Sequence, residues 1–139
     1  MRLTRSGDYA VRGMIYLAMQ PENGVSQIKG VSETQQIPKN LLNKIFQSLV
    51  KTGLVKSHRG SKGGFSLARP ARDITLKEII EKVEGPIYLN KCLIRQGECS
   101  RDGICPAHEV WQEAQRKLLE VLEGTTLQEM AEKAIRLRS

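Results

Sequence analysis

The sequence has 139 residues, enough for one compact domain or a small domain with an appendage. Its longest apolar run, 14–19, is far shorter than the roughly 18 residues of a membrane span, and no signal-peptide pattern opens the chain, so we expect a cytoplasmic protein with no membrane partner. The net charge is +7, and residues 1–70 hold 11 Lys and Arg against 3 Asp and Glu, whereas residues 71–139 hold 11 against 12. With 4% aromatic residues, this basic half indicates binding to duplex phosphates rather than base stacking on single strands.

The amino-terminal part of the chain predicts three helices. Apolar residues at helical spacing indicate the first helix within 3–19, and the residues after it break the pattern. A short second helix is expected over 26–34, with Ser26 as its N-cap. Pro38 fits the first turn of a third helix that runs to about residue 52, with one apolar and one polar face.

A basic hairpin follows the third helix. Two short strands, within 54–59 and 65–69, flank a glycine-rich turn. Three helices followed by such a hairpin form a winged helix-turn-helix, which we assign to residues 1–72; its third helix enters the major groove and its wing reaches phosphates or the minor groove. We predict that double-stranded DNA is contacted from the third helix by Lys39, Asn40, Asn43 and Lys44, and from the wing by Arg59 and Lys62.

The carboxyl-terminal half divides into three predicted parts. A connecting helix within 73–89 opens with a capping box at Thr75, and a cysteine segment broken by glycine and proline covers 90–106. Residues 107–139 form a long helix and a last helix, the latter with a capping box at Thr126. Apolar residues spaced by three and four on the long helix resemble a coiled-coil seam, and the alternative is an ordinary core face. They are Ala107, Val110, Trp111, Ala114, Leu118, Val121 and Leu122.

All three cysteines of the chain lie close together, in the pattern Cys92-x6-Cys99-x5-Cys105-x2-His108. Three thiolates and an imidazole are the ligands that zinc or an iron–sulfur cluster requires, so we predict a metal centre here. The gaps of six and five residues are longer than the paired hooks of structural zinc sites, which favours a cluster over a single zinc ion. An odd cysteine count argues against a disulfide scaffold.

Nearly the whole chain resembles the Rrf2 family of transcription regulators, which includes IscR, NsrR and CymR. The resemblance rests on the order and spacing of several short motifs. MRLT and GDYAV lie at the amino terminus, KTGLV lies between the third helix and the hairpin, and RGSKGGF forms the wing turn. The three cysteines, the HEVW motif that begins at His108, and Thr126 followed by leucine continue it. The resemblance implies a homodimer whose long carboxyl-terminal helices cross, so that each cysteine segment approaches the DNA-binding domain of the partner.

The family resemblance leaves two candidates for the fourth ligand. Members similar to IscR hold a 2Fe–2S cluster with three cysteines and a histidine at the position of His108. Members similar to NsrR hold a 4Fe–4S cluster that reacts with nitric oxide, and an aspartate of the other subunit, which corresponds to Asp8, completes its ligands. CymR-like members lack the cysteines. An acidic residue is common in IscR-like proteins where Asn43 stands, which puts the operator in doubt.

We therefore predict a mostly α protein with a small β-hairpin wing, in which a winged helix-turn-helix domain is joined to a long dimerisation helix. The predicted function is that of a homodimeric transcription regulator of the repressor type, which senses iron–sulfur, redox or nitric oxide status through a cluster. A 2Fe–2S cluster with His108 is favoured over a 4Fe–4S cluster with Asp8. The alternative from another class is a zinc-stabilised interaction protein without a cluster. Nothing in the sequence indicates an enzyme. It has no nucleophile–base pair at recognisable spacing, no phosphate-cradling motif before a helix and no paired carboxylates in an apolar setting.

Overall fold

A computed structural model describes residues 3–90, 93–94 and 104–138 of the chain. It contains six α-helices, one short 3-10 helix and two strands among these residues. In chain order they are α1 (Arg5–Ala18), α2 (Ile28–Gln35), α3 (Lys39–Lys51), β1 (Val55–His58), β2 (Gly64–Leu67), the 3-10 turn (Ala71–Asp73), α4 (Leu76–Glu84), α5 (Pro106–Glu123) and α6 (Leu127–Arg138). The predicted fold class, mostly α with a hairpin wing, is confirmed.

The core of the amino-terminal part lies between α1, α3 and the hairpin. The α3 face that carries Leu42, Phe46 and Leu49 is fully buried, as the helical spacing of these residues requires. The ring of Phe46 packs against Phe65 of β2 with centroids 5.0 Å apart, which fixes the wing against α3. Gly13 lets α1 approach the Phe46 ring, since a Cβ there would lie 2.8 Å from Phe46 Cε1.

The two strands pair antiparallel, with Val55 opposite Leu67 and His58 opposite Gly64. The backbone of Ser26 adds a single bridge to β2, through bonds of 2.8 Å in both directions with Phe65. The prediction that Ser26 caps α2 is therefore wrong. The helix begins two residues later, with Gln27 at the N-cap position and no side-chain cap, because Ser26 is engaged in the small sheet.

Helices α4 and α6 follow the predicted capping pattern. Thr75 Oγ1 accepts a hydrogen bond of 3.1 Å from the Glu78 amide at the start of α4, and Thr126 does the same for Glu129 in α6. The predicted long helix is present as α5, and its N-cap residue, Cys105, makes no side-chain cap. No helix among the described residues has the length and apolar character needed to cross a membrane.

Candidate nucleic-acid interface and cysteine segment

The polar face of α3 is open to solvent. All four predicted contact residues on this helix are exposed, and they lie opposite the buried apolar face. Gln47, one turn beyond Asn43, is exposed as well and continues the same polar row. Gln47 was not among the predicted DNA contacts, although its helical spacing from Asn40 and Asn43 puts it on the same face of α3.

The turn between α2 and α3 is held by side chains from both sides. Ser32 Oγ donates to the Ile37 carbonyl at 2.5 Å, and the Ile37 amide donates to the Ser32 carbonyl at 3.1 Å. Gln36 has the left-handed backbone conformation, with φ of 54°, that ends α2. From α1, the Arg12 guanidinium donates to the carbonyl of Gln35. These contacts fix the angle at which α3 leaves the turn.

The wing turn is built on glycines. Gly60 has φ of 103°, a conformation that L residues rarely adopt. A side chain at Gly63 would overlap the carbonyl oxygen of His58, so the turn can close only with glycine there. Arg59 and Lys62 are exposed beside this turn, as expected for residues that reach DNA.

The segment that forms α3 and the wing contains cations but no carboxylate. Residues 34–72 contain eight Lys and Arg and no Asp or Glu. Six of these eight cations lie on α3, β1 or the turn that joins the strands, and all six are exposed. Duplex DNA is attracted to such a run of exposed cations, and no carboxylate of the same segment repels its phosphates.

The described part of the cysteine segment ends at the first turn of α5. Cys105 is the N-cap residue of α5 and a half-buried free thiol, and Pro106 occupies the first helical position. The His108 amide donates to the Cys105 carbonyl at 3.1 Å, which brings both residues to one turn. Cys92 and Cys99 lie outside the described residues. Within the described part of the chain, no group of three His, Cys, Asp or Glu side chains is arranged to hold a metal ion.

The imidazole of His108 has a polar atom that lacks a partner. Its Nδ1 is buried and receives no hydrogen bond from any described residue. Buried polar atoms in folded proteins nearly always have a hydrogen-bond partner. A buried ring nitrogen without one, on the same turn as Cys105, is therefore unusual. A neutral imidazole nitrogen with a free lone pair is a metal ligand.

Asp8, the other candidate ligand, lies on α1 rather than near Cys105. It is exposed in the first turn of the helix, where the helix dipole favours a carboxylate. Its nearest ionic partner is Arg12, with Oδ2 3.5 Å from the guanidinium. Arg12 also lies over the ring of Tyr9, 5.3 Å from the centroid. Within one subunit, Asp8 therefore belongs to a surface ion pair.

The chain that enters the cysteine segment is attached to two helices. Glu84, the last residue of α4, accepts hydrogen bonds from the amide of Thr4, at 2.8 Å, and from the Thr4 hydroxyl, at the N-terminus of α1. Five residues later the Leu89 amide donates to the side-chain oxygen of Gln115 on α5, at 3.0 Å. Ile87, between these attachments, is buried. The approach to Cys92 is thus fixed against both α1 and α5.

The apolar stripe of α5 divides between two environments. Leu118 and Leu122 pack against Ile80 of α4 within the subunit. Val110 and Val121 are 61% and 65% exposed, and Trp111 and Ala114 are exposed as well. Neither of the two predicted alternatives, seam or core face, therefore holds for the whole stripe.

A helix-turn-helix held at a fixed angle, a glycine-built wing and a basic segment without carboxylates together define a winged-helix DNA-binding protein. The chain belongs to the Rrf2 family, whose model, described as an iron-dependent transcriptional regulator, matches residues 3–133. The members of this family are transcription regulators and not enzymes, as the sequence predicts.

Individual relatives agree with this assignment. The chain is 35% identical to the regulator IscR of Klebsiella pneumoniae, over 94% of this chain and 79% of that protein. It is 33% identical to the regulator NsrR of Shouchella clausii, over 94% and 88% of the two chains. The solved structure of CymR, the global cysteine regulator of Bacillus subtilis, superimposes with a TM-score of 0.80 at 30% identity, covering 96% of this chain and 98% of that one.

Proposed function

We propose that the protein is a homodimeric transcription repressor whose affinity for its operator is set by an iron–sulfur cluster, of the 2Fe–2S type, bound by Cys92, Cys99, Cys105 and His108. The observation that carries this proposal is the buried, unpaired Nδ1 of His108 on the same turn as Cys105. The family description as iron-dependent supports an iron-containing group.

The available donors suit an iron–sulfur cluster. Three thiolates and one imidazole are a known ligand set for iron–sulfur centres, and a histidine ligand raises the reduction potential above that of all-thiolate ligation. A bound cluster would supply a redox-sensitive centre in this position. His108 would offer the lone pair of its Nδ1 to the cluster. Cys105, the N-cap residue of α5, would bind as a thiolate.

For the DNA contacts, we propose that α3 lies in the major groove of each half-site. Asn40 or Asn43 would read adenine with its side-chain amide, and Lys39 and Lys44 would contact phosphate or guanine. Arg59 would enter a narrow minor groove and Lys62 would contact phosphate. Their exposure on one carboxylate-free segment of the chain supports this assignment.

The second subunit would cover the exposed apolar residues of α5. Val110, Trp111 and Val121 stay exposed on a helix that packs within its own chain through Leu118 and Leu122. Exposed valines and a tryptophan at helical spacing fit a second copy of the same helix, as in other symmetric dimers. Val121→Glu should give a monomer in sedimentation, whereas Glu120→Gln, next to it and exposed, should leave the dimer intact. A dimeric Val121→Glu protein would refute this interface.

The experiment that tests the function combines cluster analysis with DNA selection. Protein purified without oxygen should be coloured, contain iron and sulfide, and give the Mössbauer signature of a 2Fe–2S cluster. An operator selected by this protein from random duplexes should be a pseudo-palindrome, and its affinity should change when the cluster is removed. Colourless protein that contains zinc and binds DNA without sequence preference would support the interaction-protein alternative instead.

A 4Fe–4S cluster with Asp8 of the partner as fourth ligand is the second candidate. The exposure of Asp8, whose ionic contact with Arg12 is long at 3.5 Å, supports it, because such a carboxylate is free to change partners at little cost. His108→Ala and Asp8→Ala, compared by visible and resonance spectra, separate the two assignments. Only the variant that lacks the true ligand should change the spectrum, and an unchanged spectrum in both would refute both.

A further inference from the structure

The wing carries a histidine that the proposed DNA contacts do not include. His58 ends β1 and is exposed, and its Nε2 lies 2.7 Å from the hydroxyl of Ser66 on β2. Ser66 is only 6% exposed, so it holds the imidazole from a fixed position in the sheet. With Nε2 engaged, Nδ1 is the ring nitrogen left to bind a ligand.

The surroundings of His58 are cationic. Lys56 lies two positions earlier on the same face of β1, Arg59 follows directly, and Lys62 lies in the turn. Beside the strands, a groove lined by Lys56 and Ser66 also contains Arg69, Arg72 and a single carboxylate, Glu22, from the loop after α1. Arg69 is already paired with Glu78, at 2.6 Å. A phosphate that approaches the wing near His58 therefore meets several cations, and a protonated imidazole would add one more.

We propose that His58 is a DNA-phosphate contact which Ser66 positions, and that it takes up a proton when the wing binds DNA. The inference rests on the DNA interface proposed above. The imidazolium donates to the phosphate oxygen from one nitrogen and to the Ser66 hydroxyl from the other. Because binding favours the protonated form, DNA affinity rises as the pH falls through the range in which histidine titrates, about pH 8 to 5. Lysine and arginine stay charged throughout this range and contribute no such dependence.

The test measures affinity for the selected operator duplex between about pH 6 and 8 at constant ionic strength, because salt alone changes phosphate binding. For each wing that contacts DNA, the parent protein should bind the duplex about fivefold more tightly near pH 6 than near pH 8. His58→Gln keeps a hydrogen-bonding side chain without a charge, and should equal the parent near pH 8 and lose this increase. His58→Arg should bind tightly at every pH. Lys56→Gln is the matched control, which should weaken binding equally across the range.

The outcomes separate this inference from the function on which it rests. The chain has two histidines, so the change of slope between the parent and His58→Gln isolates His58 from His108. If the parent binds the operator but His58→Gln keeps the same pH slope, the inference is wrong while DNA binding stands. If no operator can be selected, the proposed function fails first. Ser66→Ala should reduce the slope without unfolding the protein, and an unchanged slope would show that Ser66 does not position the ring.

Discussion

Gly13 tests whether the close approach of α1 to α3 determines stability. In Gly13→Ala the new Cβ would lie 2.8 Å from Phe46 Cε1, 3.1 Å from Cζ and 3.4 Å from Leu42 Cδ1. Phe46 is fully buried, so its ring cannot move aside without displacing the core. Overpacking of this kind costs about 1–3 kcal/mol, and alanine in a helix returns about 1 kcal/mol. The net expectation is a loss of about 0–2 kcal/mol, a fall in Tm of up to roughly 8 °C for a chain of this size.

Gly30 supplies the matched control for this substitution, because it also lies in a helix. A Cβ there meets only the Tyr16 hydroxyl, at 3.5 Å, which is an ordinary contact. Gly30→Ala should therefore raise stability by about 0.5 kcal/mol through helix propensity. Denaturant unfolding at fixed protein concentration measures both variants, since the stability of a dimer depends on concentration. Equal stabilisation by the two alanines would refute the packing argument.

Three further predictions concern single contacts. Glu84→Ala removes the carboxylate oxygen that accepts both hydrogen bonds from Thr4, and should lower stability by about 1–2 kcal/mol. Glu84→Gln keeps an acceptor and should cost about half as much. Equal losses in thermal unfolding would show that hydrogen bonding does not matter there. The hydrogen bond from Arg116 lowers the pKa of Glu113. This exposed pair therefore stabilises the fold at pH values above the ordinary carboxyl range, and that contribution is lost as the pH falls through the lowered pKa. Arg116→Gln should remove this small dependence of stability on pH, and added salt should weaken it in the parent protein. Gly60→Ala should strain the wing, because φ is 103°, and reduce DNA affinity with little change in Tm, as gel-shift and melting experiments would show.

Helix periods and capping boxes could be read from the sequence because they depend on neighbours within a few positions. The long helix α5 and the caps at Thr75 and Thr126 followed from such local patterns. Ser26 was assigned wrongly for the opposite reason. A serine before a helix is a good N-cap by local rules, but its backbone pairs with Phe65, which is distant in sequence. Long-range pairing of this kind leaves no periodic signal.

The site could be predicted only as far as residue types and spacing determine it. The polar face of α3 and the wing cations were identified because exposure follows helical period and turn chemistry. The sequence could not show which apolar residues of α5 pack on α4 and which stay exposed, because both groups have the same spacing along the helix. The unpaired Nδ1 of His108 was hidden too, because burial of one atom depends on how the whole first turn of α5 packs.

The contacts around the cysteine segment limit how a change there can reach DNA. The chain leaves α4 for this segment at Glu84, which accepts hydrogen bonds from Thr4 at the N-terminus of α1, and it enters α5 at the N-cap residue Cys105. Arg12, two turns into α1, donates to the Gln35 carbonyl at the end of α2 and so bears on the angle of α3. On the proposed function, a rearrangement between Cys92 and Cys105 would therefore act on α1, on α5 or on both. In the proposed dimer both subunits would contact one operator, so a small rotation of either helix would change the spacing of the two α3 helices, to which affinity for paired half-sites is sensitive.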